Sequence, residues 1–464
     1  MRILQQYISP REFVFILGEG VLIFGAVFLA SFFFYLPELG FTDLFTLVWP
    51  KVLLIALVTQ FSLYFNDLYV FHGPEGSLDL ATRLMQAIGM TSIALAVIYF
   101  VWPHAIIGRW VFFLSLVFLI AFLVSWRLLY NVVISRRMFT SKALIVGAGE
   151  LAGDLLRAVK DRTDLSYDIR GIFSHPQETS ALDEANGVPV HQGFDGICDL
   201  AEAEDASSII VALDDRRGIM PYKELLNCKM RGLSVIDGES FYERITGKLL
   251  VEKINPSWLI FSEGFRKSSL SRFLKRITGL VMSLVLLVLL SPLMLLVAMA
   301  IKLDSPGPVI FSQGRVGENG EIFMLHKFRS MRKDAEKESG PVWATEDDPR
   351  ITRVGRILRK LRIDELPQVW NVLKGEMSFV GPRPERPFFV EKLRQKVPYY
   401  NERFTVKPGI TGWAQVMYGY GASEEDALEK LKYDLYYIKN MSFALDLVVI
   451  FHTLKIVLLS RGSR

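Results

Sequence analysis

The first part of the chain contains four long apolar runs that are separated by short polar links. Each run approaches the roughly 20 residues that a helix needs to cross a bilayer. The runs lie near Phe13–Leu36, Leu44–Phe65, Met85–Trp102 and Val111–Trp126. They predict a bundle of four transmembrane helices over residues 1–135. Charged residues are rare within them, and for Glu19 a position facing neighbouring helices or the interface is favoured over a functional site.

Short apolar segments separated by helix-like segments follow from Ser141. The strand candidates are Ala143–Val146, Ile169–Phe173, Ser208–Leu213 and Leu233–Ile236. This alternation predicts a Rossmann-like α/β module over residues 136–265. The glycines Gly147, Gly149 and Gly153 are spaced G-x-G-x-x-x-G rather than G-x-G-x-x-G, and Ser174 and His175 stand where an acid would hold a ribose. A structural or regulatory role is therefore favoured, with a bound nucleotide as the alternative.

A fifth apolar stretch, Ile277 to Ile301, has basic residues on both flanks. If it crossed the membrane, about 160 C-terminal residues would lie outside, against the positive-inside rule. The dipeptide Ser291-Pro292 lies near its middle, where proline removes a backbone hydrogen bond and the serine hydroxyl can satisfy the freed carbonyl. We therefore expect a helix–break–helix hairpin over residues 276–302 that re-enters the cytoplasmic leaflet, rather than a kinked spanning helix.

The basic residues set the orientation. Arg127, Arg136, Arg137 and Lys142 follow the fourth run, whereas the links after the first and third runs carry only Arg109. The rule then places the N-terminus and everything after Arg127 in the cytoplasm. The cysteines Cys198 and Cys228 give neither a disulfide framework nor zinc spacing and fit a reduced compartment. The N-terminus lacks the pattern of a cleaved signal peptide.

Adjacent carboxylates set among arginines mark the last part of the chain. Asp364 and Glu365 follow Ile351–Leu361, an amphipathic helix with Ile351, Val354, Leu358 and Leu361 on one face and Arg353, Arg356 and Lys360 off it. That basic face is either solvated or in contact with anionic headgroups. Asp364 alone would also suit the N-cap of a helix over Leu366–Leu373. The apolar Phe443–Leu459 suits a helix lying in the membrane interface.

Residues 270–461 resemble the bacterial sugar transferase family, also called monotopic phosphoglycosyl transferases. The matching segments, in family order, are Ser291-Pro292, Lys327–Met331, Arg362–Gln368, Asn371–Gly375, Met377–Glu385, Lys407–Val416 and Tyr433–Tyr437. The four runs and the Rossmann-like module resemble the long form of this family. Glu376 departs from the pattern, where an aspartate is common. The implied fold class is a membrane α-helical bundle, an α/β Rossmann-like module and a mainly α monotopic catalytic domain over residues 266–464.

The resemblance implies that undecaprenyl phosphate receives a sugar-1-phosphate from a nucleoside-diphosphate sugar, with UDP-glucose or UDP-galactose favoured, and that UMP is released. Asp364 would attack the β-phosphorus and form a phosphosugar–aspartyl intermediate, and Glu365 would bind Mg²⁺. Substrate-binding candidates are Lys327, Arg329, Arg362, Arg383, Glu385 and Asp434. For the cations the alternative is a structural ion pair, and for Asp434 a helix-surface acid. Ser291 and Pro292 would set the bend of the hairpin.

Membrane lipids and a second copy of the chain are the other partners implied, and no nucleic acid is expected. The location implied is the bacterial cytoplasmic membrane, with the catalytic domain on the cytoplasmic face, at the first membrane step of exopolysaccharide, capsule or O-antigen synthesis. Two other hypotheses remain open. A nucleotide-sugar dehydratase would need a Tyr-x-x-x-Lys pair, which the module lacks. A scaffold or chain-length regulator for an export system would have no catalytic activity.

Overall fold

The computed structural model describes residues 2–3, 6–7, 10–35, 40–69, 77–135, 140–161, 167–176, 187–253, 264–265, 268–332, 335, 348–419, 421 and 423–458. Contacts divide the chain into two compact units, Met1–Ile3 with Tyr7–Gly238 and Leu4–Gln6 with Glu239–Arg464. The two-residue strands β1 (Arg2–Ile3) and β2 (Gln6–Tyr7) precede the first helix. The predicted domain limits at residues 136 and 266 lie outside the described residues.

Helices cover all four predicted membrane runs. They are α1 (Pro10–Tyr35), α2 (Phe41–Phe65), α3 (Ser77–Val101) and α4 (Arg109–Ser135). Each is long and apolar enough to cross a membrane. Helix α3 begins earlier than its apolar run because its first turns are polar, with Asp79 and Arg83 paired at 2.8 Å. A hydropathy pattern locates the apolar part of such a helix but not its polar extension.

Glu19 lies inside the bundle and is fully buried. Its Oε1 accepts a hydrogen bond from Nη2 of Arg127 at 2.8 Å, and Nη1 of Arg127 donates to the Leu68 carbonyl at 3.1 Å. The prediction that Glu19 faces neighbouring helices is confirmed. Arg127, however, lies within α4 and is itself buried. It is therefore the partner of Glu19 rather than part of a basic segment after the fourth helix.

A sheet of five parallel strands forms the core of the next module. In chain order the elements are β3 (Ser141–Val146), α5 (Glu150–Asp161), β4 (Tyr167–Ser174), β5 (Val190–Gln192), α6 (Ile197–Ala203), β6 (Ser208–Val211), α7 (Tyr222–Met230), β7 (Ser234–Asp237) and α8 (Gly238–Thr246). The strand order is β5-β4-β3-β6-β7. Ile145 and Ile210 are fully buried, as expected of a parallel sheet covered on both faces. The four predicted strands are confirmed. β5 was not predicted, because it is short and partly exposed and has no apolar run.

The two cysteines are paired in this module. Cys198 on α6 and Cys228 on α7 form a disulfide, with their Cα atoms 5.2 Å apart. The expectation from sequence, in which the pair gave no disulfide framework, is wrong, and the pair is no longer an argument for a reduced compartment. The packing of α6 beside α7 brings the sulfurs together across 30 residues of sequence, and no local pattern announces such a contact.

The fifth apolar stretch forms α9 (Ser269–Asp304), with Pro292 inside it. The predicted interruption is absent, because the helix continues through the proline. Ser291 Oγ donates to the Val288 carbonyl at 2.9 Å. That carbonyl lies four residues before Pro292 and is the one a proline leaves without a partner. The prediction that the serine hydroxyl satisfies the freed carbonyl is therefore confirmed.

The remaining elements of the C-terminal unit are mostly short helices. In chain order they are β8 (Ile310–Val316), β9 (Ile322–Phe328), α10 (Arg353–Lys360), α11 (Gln368–Lys374), β10 (Ser378–Val380), α12 (Pro387–Lys396), β11 (Gly409–Thr411), α13 (Trp413–Met417), α14 (Glu424–Lys439) and α15 (Phe443–Leu458). β8 and β9 form an antiparallel hairpin. The main core includes Tyr400, Trp413, Leu435 and Tyr437. The predicted class, apolar helices followed by an α/β module and a mainly helical C-terminal region, is confirmed.

Residues 239–253 belong by contacts to this C-terminal unit, although the sequence-based limits assign them to the Rossmann-like module. Lys439 Nζ donates to Glu243 Oε2 at 2.7 Å. Trp413 Nε1 donates to the Gly247 carbonyl at 2.8 Å. The segment thus packs on α13 and α14.

Candidate active site

The adjacent acids lie in a tight turn between two helices. Helix α10 ends at Lys360, and Arg362 then takes a left-handed conformation with φ 54°. A left-handed residue commonly ends a helix, but it is usually glycine, and a non-glycine residue there costs about 1–2 kcal/mol. The 3₁₀ turn Ile363–Glu365 follows, and α11 begins only at Gln368. Asp364 therefore does not cap α11, and the capping interpretation of this aspartate is wrong.

Glu365 is held by two cations. Lys327 Nζ from β9 and Arg383 Nη2 from the loop after β10 both donate to its Oε1, each at 2.8 Å. Burial would raise the pKa of Glu365, but Arg383 and Lys327 outweigh it and hold that pKa well below its usual range. Glu365 is thus ionised near neutral pH.

Asp364 stands in a different environment. Its side chain is buried, and no described residue donates a hydrogen bond to its carboxylate. Burial raises the pKa of Asp364; Lys327 opposes this effect, and the Glu365 charge adds to it. The oxygens of Asp364 are therefore not used in structural hydrogen bonds, whereas those of Glu365 hold the surrounding cations.

A cavity of about 610 Å³ opens over Asp364. Eleven basic residues line it against three acids, which makes it a strongly cationic site suited to phosphate oxygens. The basic residues are Arg315, Lys327, Arg329, Arg332, Arg350, Arg359, Arg362, Arg383, Arg386, Arg403 and Lys430. The acids are Asp364, Glu385 and Asp434.

The substrate-binding residues predicted from sequence all line this cavity, but their contacts differ. Lys327 and Arg383 contact Glu365, and Arg362 forms the turn before Asp364. Arg329 instead donates to the carbonyls of Pro306 and Ser305, at 2.8 and 2.7 Å, and so holds the end of α9. Its guanidinium therefore supports the cavity wall.

The predicted acids Glu385 and Asp434 have cationic partners of their own. Arg315 Nη1 lies 3.6 Å from Glu385 Oε2. Arg403 Nη2 donates to Asp434 Oδ2 at 2.8 Å and to the Arg383 carbonyl at 3.1 Å. Asp434 is buried, so the helix-surface interpretation is wrong. Through Arg403, it supports the loop that presents Arg383 to Glu365.

Arg359 is a cavity residue that sequence reasoning missed. It lies in α10, one turn and a half before Asp364, and its positive charge acts on the Asp364 carboxyl. Its Nη1 is buried and has no hydrogen-bond partner among the described residues. A buried guanidinium donor without a partner is costly unless an acceptor arrives. The basic residues of α10 indicated a helix able to contact anions. They did not distinguish Arg359 from its exposed neighbours Arg353 and Arg356.

Asn371 joins the strand that carries Lys327 to the helix that follows the acids. It is fully buried in α11, accepts from the His326 amide at 3.1 Å and donates to the Met324 carbonyl at 2.7 Å. It also donates to Glu376 Oε2 at 2.6 Å. Glu376, the departure from the family pattern, thus helps to hold Asn371. These bonds fix β9 against α11 and position Lys327 beside Glu365.

A buried acid pair, a cation-lined cavity and several apolar helices define a membrane enzyme that handles phosphate groups. The chain belongs to the bacterial sugar transferase family. Residues 270–460 match the model of that family, described as bacterial sugar transferase. Residues 65–218 match a second family model, described as a CoA-binding domain. Membership favours the transferase hypothesis over the dehydratase and scaffold hypotheses.

Several named relatives resemble the chain. The undecaprenyl-phosphate glucose phosphotransferase of Komagataeibacter xylinus is 32% identical over 78% of this chain and 68% of its own length. The undecaprenyl-phosphate galactose phosphotransferase of Salmonella typhimurium is 32% identical over 70% of each chain. The UDP-N-acetylgalactosamine-undecaprenyl-phosphate N-acetylgalactosaminephosphotransferase of Aeromonas hydrophila is 42% identical, but over only 52% of this chain and 56% of its own length. These relatives differ in the sugar that they are named for.

Proposed function

We propose that the protein transfers a sugar-1-phosphate from a UDP-sugar to undecaprenyl phosphate, releasing UMP, through a covalent intermediate on Asp364. One observation carries the proposal. The Asp364 carboxylate takes no hydrogen bond from the described residues and lines the cationic cavity, while its neighbour Glu365 holds Lys327 and Arg383. An uncommitted carboxylate beside clustered cations suits attack on a phosphorus atom.

The reaction proceeds in two displacements. An oxygen of Asp364 attacks the β-phosphorus of the donor, and the bond from that phosphorus to the bridging oxygen breaks, so UMP leaves with both bonding electrons. An oxygen of undecaprenyl phosphate then attacks the same phosphorus. The Asp364–phosphorus bond breaks, and the products are undecaprenyl diphosphate sugar and the free carboxylate. Both steps place negative charge on phosphoryl oxygens, which Lys327, Arg383, Arg359 and Arg362 are positioned to neutralise.

Glu365 is the residue proposed to hold Mg²⁺. Its Oε1 is taken by Lys327 and Arg383, but Oε2 takes no hydrogen bond from the described residues. Mg²⁺ usually binds one or two carboxylates together with substrate phosphates and water, so a cluster of three protein ligands, which the described residues do not form, is not needed. When bound, Mg²⁺ would offset the charge of the diphosphate oxygens. Removal of divalent cations with EDTA should stop transfer, and added Mg²⁺ should restore it.

The membrane arrangement follows from the contacts of α9. Near its start, Arg276 donates to the Val372 and Leu373 carbonyls of α11, at 2.5 and 2.8 Å. Near its end, Val297 and Ile301 pack with residues of β9 and α10. Both ends thus contact the same unit, which supports a helix that re-enters one leaflet with a bend near Pro292. We place the catalytic cavity at the cytoplasmic face of the bacterial inner membrane, where UDP-sugars are available.

The donor and the assembly are further parts of the proposal. UDP-glucose and UDP-galactose are retained as the favoured donors, and the Aeromonas relative adds UDP-N-acetylgalactosamine to the panel to be tested. The product would start an exopolysaccharide, a capsule or an O-antigen. A homodimer is proposed from the long form of the family, and mass photometry of the protein in nanodiscs would measure it.

The test of the proposal is capture of the intermediate. Purified protein is incubated with UDP-sugars labelled at the β-phosphate, without lipid acceptor, and label on the denatured protein is counted. Wild type should retain label and release UMP, and Asp364→Asn should do neither. Asp215→Asn, which changes an exposed acid of the Rossmann-like module, is the matched control and should behave as wild type. Full transfer by Asp364→Asn would exclude the mechanism.

A further inference from the structure

The Rossmann-like module has the crevice in which open α/β sheets bind ligands. β3 and β6 lie side by side at the centre of the sheet, with β4 and β5 beyond one and β7 beyond the other. The order of strands reverses between β3 and β6, and ligands in such folds bind outside the carboxyl ends of the strands at this point. The loop Gly147–Gly149 leaves β3 here and leads into α5. A phosphate group would normally lie at the first turn of that helix.

The side chain of Asp214 occupies this position. It follows β6, and its Oδ2 accepts a hydrogen bond from the Glu150 amide at 2.8 Å while its Oδ1 accepts from the Leu151 amide at 3.0 Å. These amides are among the donors that the first turn of a helix leaves without partners. Both carboxylate oxygens of Asp214 therefore accept hydrogen bonds that the oxygens of a bound phosphate would otherwise accept.

Because the loop glycines have no side chain, other atoms of the protein, rather than a ligand, approach the loop closely. Gly147 has φ +117°, and a Cβ there would overlap the carbonyl of Ala212. A Cβ on Gly149 would overlap the carboxylate of Asp214. In a dinucleotide-binding fold such glycines allow close approach of a pyrophosphate. Here the segment after β6 makes the close approach.

We propose that Asp214 is the built-in anion of this loop, so that the module binds no phosphate-bearing cofactor there. Coenzyme A, which the matched domain family implies, carries a pyrophosphate, and the residues present do not fit it: the amides that would bind it are taken, and a carboxylate would repel it. Asp214 instead ties the loop after β6 to α5, which gives the module a structural role.

Hydrogen exchange of the full-length protein in nanodiscs tests the proposal, with a peptide covering residues 147–156 as the readout and inorganic pyrophosphate or coenzyme A as the probe. In wild type, neither probe should slow exchange in this peptide. Asp214→Ala should raise exchange of its first-turn amides roughly fivefold, the effect of losing a helix cap. Pyrophosphate should then slow it again, because the variant has an empty anion site. Asp214→Asn, which keeps one acceptor oxygen, should lie between them.

Asp215→Asn is the matched control, because the adjacent Asp215 side chain bonds to Arg217 and not to α5. A separate peptide over residues 362–373 reports pyrophosphate bound in the catalytic cavity, so the two sites are read independently. Saturable protection of residues 147–156 in wild type by either probe would overturn the proposal. Unchanged exchange in Asp214→Ala would overturn it too, as would faster exchange that pyrophosphate cannot slow.

Discussion

Glu365 and Asp364 are sequence neighbours with opposite electrostatic surroundings. Oε1 of Glu365 receives Lys327 and Arg383, each at 2.8 Å, whereas the carboxylate of Asp364 receives no hydrogen bond from the described residues. The pKa of Glu365 is held low by these cations against the effect of burial, and burial raises the pKa of Asp364. Divergent environments for two acids commonly mark divergent catalytic roles. This difference supports the proposed roles, in which Glu365 organises the cations and Asp364 reacts with the donor.

Glu365→Gln should therefore impair transfer while leaving the nucleophile in place. The neutral amide is a weaker acceptor for Lys327 and Arg383, which then lose their shared anchor. We expect turnover to fall roughly 10²- to 10³-fold, the usual effect of disturbing charge stabilisation in a transition state. Single-turnover kinetics with labelled donor would measure it. The exposed Glu321 provides the control, since Glu321→Gln should keep wild-type rates. Wild-type turnover in Glu365→Gln would contradict this role.

Arg359 and Arg356 provide a matched pair on α10. Arg359 lines the cavity with a buried donor that lacks a described partner, whereas Arg356 is exposed. Arg359→Gln should lower kcat/KM roughly 10- to 100-fold, as expected for one charged hydrogen bond of about 1.5–3 kcal/mol. Arg356→Gln should change kcat/KM little in detergent. Steady-state assays of UMP release measure both. Equal effects of the two variants would mean that α10 acts only through its overall charge.

Much of the fold could be predicted because it follows from local patterns of apolar and polar residues. The apolar runs of α1 to α4 and the strands β3, β4, β6 and β7 each follow from consecutive residues. The partnership of Ser291 with the carbonyl freed by Pro292 is likewise local, being set by helix geometry. Such features need no knowledge of distant segments.

The missed features depend on contacts between distant segments. Arg127 on α4 forms an ion pair with Glu19 on α1, and Cys198 on α6 forms a disulfide with Cys228 on α7. Arg329 and Arg359 have the same chemistry in sequence, yet the first holds backbone carbonyls and the second faces the cavity with a buried donor. Composition cannot separate a structural arginine from one available to substrate. Only the packing around each guanidinium decides its role.

The pair Asp434 and Arg403 should give the enzyme an acidic limb in its pH profile. Burial raises the pKa of Asp434 to about 6, although Arg403 opposes the shift. Asp434 is thus ionised above about pH 6 and protonated below it. Protonation weakens its bond to Arg403, which also holds the Arg383 carbonyl, so kcat should fall as the pH decreases through about 6. Asp434→Asn should lower kcat and flatten this limb between pH 5 and 8. A limb that keeps its position in Asp434→Asn would have another origin.

The proposed re-entrant arrangement of α9 predicts which side of the membrane its two ends face. Leu270 and Leu303 are exposed near these ends, at 66% and 89% of their surface. A straight helix between them would be about 50 Å long, more than the roughly 30 Å core of a bilayer, and would place them on opposite sides. With re-entry, Leu270→Cys and Leu303→Cys should both react with an impermeant maleimide in inside-out vesicles and not in spheroplasts.

His104 in the link between α3 and α4 supplies the opposite control, because the predicted orientation places it outside. His104→Cys should react in spheroplasts only, and the wild-type protein, whose two cysteines are buried, should not react. Reaction of Leu270→Cys and Leu303→Cys from opposite sides would show that α9 crosses the bilayer. The two ends of α9 would then contact one unit from opposite sides of the membrane. The hydrocarbon core would separate those contacts, so they could not all form. The same labelling experiment therefore tests both the bend near Pro292 and the side on which the reaction takes place.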